Sequence, residues 1–343
     1  MKKILVGLSG GVDSFMSAYY LQRAGWEVFG AYLEIQKNFS KLKIIKELAR
    51  KLQIPLEVVD CKKEFNREVI DSFIKNYQQG QTPNPCVFCN PEIKFKFLLK
   101  LARKKKIFFV ATGHYARIEL SSKVAYLKIG LDKNKDQSYF LYRLKQAQLR
   151  RIIFPLGEKN KNQIKNEAEK LGFYQDQERK ESQDICFFKE DENLAIFLRN
   201  RIKSLSGEII DEQGKILGIH QGLEKYTLGQ RRGLELSAGP YFVINKNFKK
   251  NQLLVSKNKN HPLLWKKELF LKKVSWIQEA PSVKKDYFIK IRYGKNGSLG
   301  KIIFDRQWKK WKIILAKEQW APAAGQSAVI YEGEKVLGGG IIR

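Results

Sequence analysis

The chain has 343 residues, enough for two or three domains, and its 43% apolar and 12% aromatic content is that of a folded protein. Its 65 Lys and Arg against 35 Asp and Glu give a net charge of +30. That charge favours a polyanionic partner, although lysine and asparagine are so widespread that nucleotide bias in the gene accounts for the excess equally well. No run of about 18 apolar residues occurs, the first apolar stretch is too short for a signal peptide, and four cysteines are too few for a disulfide framework. A cytoplasmic protein with free thiols and no membrane association is expected.

Ile4, Leu5 and Val6 form the apolar run of a strand covered on both faces, and Met16, Tyr19, Tyr20 and Ala24 fall at helical spacing after it. Between them lies Gly7-Leu8-Ser9-Gly10-Gly11-Val12-Asp13-Ser14. Gly10 and Gly11 allow successive N–H groups to face a phosphate, with the positive end of the helix dipole behind them. A plain tight turn capped by Ser9 or Asp13 would use the same residues. The string is neither Gly-x-x-x-x-Gly-Lys-Ser/Thr nor Gly-x-Gly-x-x-Gly.

Strand-like segments at 3–8, 27–35, 56–60 and 107–112 alternate with helix-like segments at 14–24, 40–52, 63–78 and 92–105, the pattern of a parallel sheet. Ligands of such sheets bind at the carboxyl ends of the strands, where the glycine loop, Leu33 and Gly113 fall. A proline-rich loop at 80–91 leads to Asn90 as an expected N-cap and Pro91 as the first helical residue. Cys89 then stands just ahead of a helix N-terminus, where the dipole, with Lys94 and Lys96, should lower its pKa below about 8.5. Cys86 and Cys89 also invite zinc or thioredoxin-like readings. Zinc lacks a second close pair of ligands and a redox pair would follow its strand directly, so no metal is expected. His114 either contacts a substrate or caps its strand.

A hairpin at 115–120 and 124–129 is followed by helices near 136–149, 160–171 and 190–202, with Cys186 among apolar residues as either a small buried hydrophobe or a reactive thiol. From about 205 the pattern turns to short strands at 207–210, 240–245 and 252–256. Further strands at 268–276, 286–293, 299–304, 310–315, 326–332 and near the C-terminus suggest a closed barrel. The expected fold is α/β: a parallel-sheet domain over 1–203, a small β-rich domain over 204–262 and a C-terminal β-barrel over 263–343.

Ser9 to Ser14 resembles the pyrophosphate loop of the adenine nucleotide alpha hydrolases. Seven segments, in order, resemble the tRNA-specific 2-thiouridylases from first residue to last: Gly7–Ser14, Thr82–Pro85 with Cys89-Asn90, Ala111–Tyr115, Lys135–Leu141, Asp184–Phe187, Tyr226-Thr227 with Gly229–Arg231, and Ala323–Ala328. The resemblance implies a sulfurtransferase. With ATP and Mg²⁺ as substrate and no permanently bound cofactor, it would adenylate the C2 oxygen of the wobble uridine in tRNAs for Lys, Glu and Gln. A persulfide on Cys186, loaded by a cysteine desulfurase directly or through a relay protein, would supply the sulfur. Cys89 would be the second catalytic thiol, pairing with Cys186 as a disulfide, which requires a mobile segment around Cys186.

The same resemblance assigns Gly7, Leu8, Ser9, Gly10, Gly11, Val12, Asp13, Ser14, Leu33 and Gly113 to ATP, and Asn84, Pro85 and Cys86 to the target base. His114, Lys135, Asp136, Gln137, Arg292, Tyr293 and Gln326 are assigned to tRNA. Position 86 carries a cysteine where many members carry an acid, and the loop after Leu33 is short and poor in acidic and aromatic residues. A different adenylating enzyme with this loop, a synthetase or another RNA thiolase, would form AMP without needing both cysteines. A non-catalytic RNA- or zinc-binding protein would not turn ATP over.

Overall fold

The computed structural model describes residues 1–122, 124–173, 185–188, 192–237, 239–294 and 297–343. The N-terminal half runs β1 (Lys3–Gly7), α1 (Val12–Arg23), β2 (Glu27–Glu34), α2 (Phe39–Lys51), β3 (Leu56–Asp60), α3 (Lys62–Phe65), α4 (Asp71–Gln78), α5 (Pro85–Cys89), α6 (Lys96–Lys104) and β4 (Phe109–Ala111). It continues with β5 (Ala116–Ser121), β6 (Val124–Ile129), α7 (Gln146–Leu149), β7 (Ile152–Ile153), α8 (Lys161–Lys170) and α9 (Leu194–Arg199). Strands β3-β2-β1-β4-β7 form one parallel sheet in that order. In the central strand Leu5 enters one apolar cluster with Ala31, Leu98 and Val110, while Ile4 and Val6 enter another with Phe15, Ala18 and Val28. The period of two along a strand thus feeds both faces, which is why its apolar run is unbroken.

Two local expectations are corrected. The helix carrying Cys89 begins at Pro85, not after Asn90: Asn84 Oδ1 accepts the Cys86 N–H at 3.2 Å and Pro85 takes the first helical position. From there α5, a π-helical turn over Asn90–Phe95 and α6 follow without a break. Pro91 has no N–H to donate, and the widened turn accommodates it. Asn90 is buried inside this helix, its Nδ2 donating to the Phe140 carbonyl at 3.2 Å. Residues 136–149 are not one helix but a 3₁₀ turn over Ser138–Phe140 followed by the four-residue α7. Here Asp136 captures the backbone of Gly130 and Ser138, and Tyr139 and Tyr142 both reach Ser327 in the C-terminal barrel. Those partners outcompete the helical pattern of the local sequence.

The second half runs β8 (Gly207–Ile210), β9 (Ile216–His220), β10 (Phe242–Asn247), β11 (Gln252–Ser256), β12 (Trp265–Trp276), β13 (Tyr287–Lys290), β14 (Ser298–Asp305), β15 (Lys310–Trp320), β16 (Ser327–Glu332) and β17 (Lys335–Ile342). Strands β10-β11-β8-β9 make a small sheet over a core of Ile209, Val243, Leu253 and Val255. Strands β12-β15-β14-β13-β16-β17 close on themselves through β12–β17 pairing, giving a six-stranded barrel. The β5–β6 hairpin joins that barrel at Lys128 opposite Lys335. Glu334 bridges Arg117 at 2.9 Å and Lys128 at 3.2 Å, tying the first half of the chain to the last.

Candidate nucleotide and thiol site

The glycine loop leaves the carboxyl end of β1 beside Leu33 near the end of β2 and Gly113 just past β4. Ser14 organises the turn: its hydroxyl accepts the Ser9 N–H at 3.0 Å and donates to the Gly11 carbonyl at 2.9 Å. Gly10 sits at φ +82°, a conformation that strains any side chain. Gly11, at φ −90°, caps α1 without a side chain, and an added Cβ would meet only Ser9 Oγ, at 3.7 Å. Backbone conformation therefore explains the first glycine but not the second, which offers an approaching anion a helix N-terminus with no side chain in front of it.

Asp13 points the other way. Its carboxylate receives Lys161 Nζ at 2.6 and 2.7 Å and the Tyr115 hydroxyl at 2.8 Å. Lys161 is 95% removed from solvent and opens α8 behind the N-cap Asn160. A cation at the first position of a helix opposes the helix dipole, and that mismatch is the sequence signal by which Lys161, missed above, could have been found. Gly113 packs directly on the start of α1: a Cβ there would come within 2.7–2.9 Å of the Asp13 and Ser14 backbone.

Three thiols converge beyond the loop. Cys86 and Cys89 lie on α5, and Cys89 packs on the apolar cluster that also takes Ile185, Phe187 and Phe188, the neighbours of Cys186. Burial pushes the Cys89 thiol up to about 12 and raises Cys86 as well, with Lys94 opposing both shifts. This reverses the expected lowering, because Cys89 is inside the helix and away from its N-terminal N–H groups. Cys186 is exposed and is not a core hydrophobe. Its neighbours anchor it: Phe187 is buried against Phe65, Phe73 and Phe197, and Gln36 donates to the Phe187 carbonyl at 3.0 Å. The expectation of a mobile segment here falls largely on 174–184 and 189–191, outside the described residues. Among the described residues no cluster suited to a metal ion occurs and all four cysteines are free.

The residues assigned to target base and tRNA divide by exposure. Asn84 is half-buried and Pro85 buried at the start of α5. His114 is buried, bonded to Thr112 Oγ1 at 2.7 Å and flanked by Phe95 and Phe154. Burial and then the Lys94 charge hold it neutral, its pKa well below the ordinary value. Asp136 is buried under Ser138 and Gly130, and Gln137 Oε1 accepts the Tyr115 N–H at 3.0 Å. Together they shape the loop that carries half-buried Lys135. Tyr293 is exposed and packs on Phe140 with ring centroids 4.4 Å apart. Arg292 donates to the Ala321 carbonyl, and burial lowers its pKa.

The loop before α5 is clamped from both later units. Gln326 Nε2 donates to the Thr82 carbonyl at 2.7 Å, Thr82 N–H donates to the Ala324 carbonyl at 2.7 Å, and Lys272 holds Gln81 at 2.9 Å. From the small sheet, Lys246 Nζ donates to the carbonyls of Gly80 at 2.6 Å and Tyr226 at 2.7 Å. Gly80 lies at φ +69° with Phe248 so close that a Cβ would fall 2.2 Å from the ring. The segment entering the thiol helix is thus positioned by all three parts of the chain.

Three family models match in succession: the tRNA methyl transferase HUP domain over residues 2–190, the tRNA methyl transferase PRC-barrel domain over 195–257 and the aminomethyltransferase beta-barrel domain over 266–342. The tRNA-specific 2-thiouridylase MnmA of Syntrophomonas wolfei is 41% identical over 99% of both chains. The protein of the same name from Helicobacter acinonychis is 40% identical over 99% of both, and that of Vesicomyosocius okutanii 39% identical over 99% of this chain and 97% of its own. A solved 4-thiouridine synthetase–RNA complex with bound ATP aligns with 50% of this chain and 41% of its own at 18% identity, TM-score 0.36. With a nucleotide loop, a thiol cluster and these full-length relatives together, the chain belongs to the tRNA-specific 2-thiouridylase family of tRNA sulfurtransferases.

Proposed function

We propose that this enzyme makes 2-thiouridine at the wobble position of tRNAs for Lys, Glu and Gln, using MgATP and a persulfide carried on Cys186. The observation that carries the reading is the grouping of exposed Cys186 with half-buried Cys89 on a helix whose entry loop is fixed by all three parts of the chain. The N–H groups of Gly10 and Gly11 bind the ATP phosphates, and Leu33 and Gly113 border the nucleotide at the sheet edge. Adenylation converts the C2 oxygen of the uridine into part of AMP, a far better leaving group than oxide. Asn84, Pro85 and Cys86 border the base, while Lys135, Arg292, Tyr293 and Gln326 lie along the surface offered to the RNA, shaped from beneath by His114, Asp136 and Gln137.

The outer sulfur of the Cys186 persulfide attacks C2 and AMP departs with the old oxygen. Cys89 thiolate then attacks Cys186 Sγ, leaving the transferred sulfur on the base and a Cys89–Cys186 disulfide for an external thiol to reduce. A cysteine desulfurase or a sulfur-relay protein supplies the next sulfur. Nucleoside mass spectrometry of tRNA incubated with the enzyme, ATP and a persulfide source tests the scheme. The expected product is 2-thiouridine with one AMP per sulfur; AMP formation with no thiolated nucleoside would overturn it.

A further inference from the structure

A second basic site lies on another face of the thiol helix. Pro91, Glu92 and Lys96 on that helix, Arg143, Lys145 and Gln148 on the following segment, and Lys273–Ser275 on β12 line an open cavity of about 440 Å³. It joins the first part of the chain to the barrel and does not include the glycine loop or the thiols.

Arg143 is the feature that the fold leaves unexplained. Its guanidinium stacks on the Phe88 ring, Cζ 4.5 Å from the centroid, with Lys273 Nζ 5.1 Å from the same ring. Stacking satisfies the face of a guanidinium, whereas its N–H groups donate in the plane. Nε and Nη1 are both buried and make no hydrogen bond, and Nη2 lies 3.8 Å from Glu92 Oε1, beyond hydrogen-bond reach. Leaving buried donors unpaired is costly, so a partner that supplies acceptors is favoured. Lys145 is already held by Ser275 Oγ at 2.9 Å and the Trp276 carbonyl at 3.3 Å, which fixes its charge at the cavity wall. Lys96 and Lys273 are exposed at the rim. Four cations thus face one carboxylate, Glu92, around an unpaired planar fork.

We propose that this cavity binds a phosphate group, with Arg143 as its bidentate ligand and Lys96, Lys145 and Lys273 as its surrounding charge. A planar fork flanked by ammonium groups matches phosphate oxygens in shape and sign. The backbone of the RNA substrate is the favoured source, because Arg143 stands three residues beyond Phe140, which stacks on exposed Tyr293. In that form the inference rests on the RNA function proposed above; a free phosphate would engage the same groups.

The test is tRNA binding by wild type, Arg143→Gln and Lys273→Gln over a range of salt concentrations, with orthophosphate titrated calorimetrically into wild type and Arg143→Gln. Lys273 is exposed, so its variant decides the matter even where Arg143→Gln folds poorly. An RNA phosphate predicts that the slope of log affinity against log salt drops by about 1 in each variant, with about tenfold weaker binding at low salt. Unchanged slopes with loss of the orthophosphate heat in Arg143→Gln assign the site to free phosphate. If neither slope nor heat changes, there is no phosphate site. Should wild type fail to bind tRNA at all, the RNA function fails while the orthophosphate arm still judges the cavity.

Discussion

Lys161 Nζ is held between the two carboxylate oxygens of Asp13, at 2.6 and 2.7 Å, so the loop acid is neutralised by a helix 148 residues further along the chain. In the function proposed above, MgATP phosphates entering over Gly10 and Gly11 would compete for both members of this pair, the cation for the carboxylate and the phosphates for the ammonium. Lys161→Met is therefore expected to slow AMP and pyrophosphate formation about 10²-fold, the scale for removing one preorganised charged donor. Lys161→Arg should recover part of the loss. Pyrophosphate release at wild-type rate by Lys161→Met would show the pair to be structural only.

Much of this arrangement was readable in advance because it depends on local pattern. An unbroken apolar strand, a Gly-Gly turn and alternating strand and helix lengths place the loop, Leu33 and Gly113 at one sheet edge. What was not readable comes from long-range partners. The 136–149 stretch has helical periodicity, but Tyr139 and Tyr142 are claimed by Ser327 nearly 190 positions away. The short β7 and β9 escape detection because two residues carry no period and because β9 does not alternate buried with exposed positions. For Cys89 the sequence misplaced the start of its helix and gave no sign of the burial that raises the thiol pKa.

The two readings of the glycine loop separate at Gly11 and Gly113. Gly11→Ala adds a methyl that meets only Ser9 Oγ, at 3.7 Å and an ordinary φ, so its melting temperature should stay close to wild type, while ATP affinity should fall if the phosphates approach the loop as proposed above. A simple turn predicts no change in ATP binding. Gly113→Ala drives a Cβ into the Asp13–Ser14 backbone and should lose about 1–3 kcal/mol of stability, the usual cost of overpacking. Chemical denaturation and equilibrium ATP binding of both variants give the comparison.

His114 makes the fold acid-sensitive. Its folded pKa lies well below 6.5, so the unfolded chain binds the proton more readily. By linkage, stability rises with pH through this window and is lost progressively as pH falls below 6.5 toward the folded pKa. Urea unfolding of wild type and His114→Gln at pH 7.5, 6 and 5 isolates the contribution, since all other groups are common to both. The wild-type advantage should shrink as pH falls; a constant difference would show that His114 protonates equally in both states.

The thiols carry the sharpest test of division of labour. Cys186 is exposed, so iodoacetamide should modify it first. With a pKa near 12, Cys89 is on the order of 10⁻⁴ thiolate at pH 8, and its alkylation should rise about tenfold per pH unit to at least pH 10. Cys186→Ser and Cys89→Ser are both expected to lose tRNA thiolation while retaining tRNA binding. Cys86→Ser should keep substantial activity, because the sulfur transfer proposed above uses only the Cys186 and Cys89 thiols. Nucleoside mass spectrometry with alkylation mapping reads all three variants. An inactive Cys86→Ser beside an active Cys89→Ser would exchange the roles of the two helix thiols.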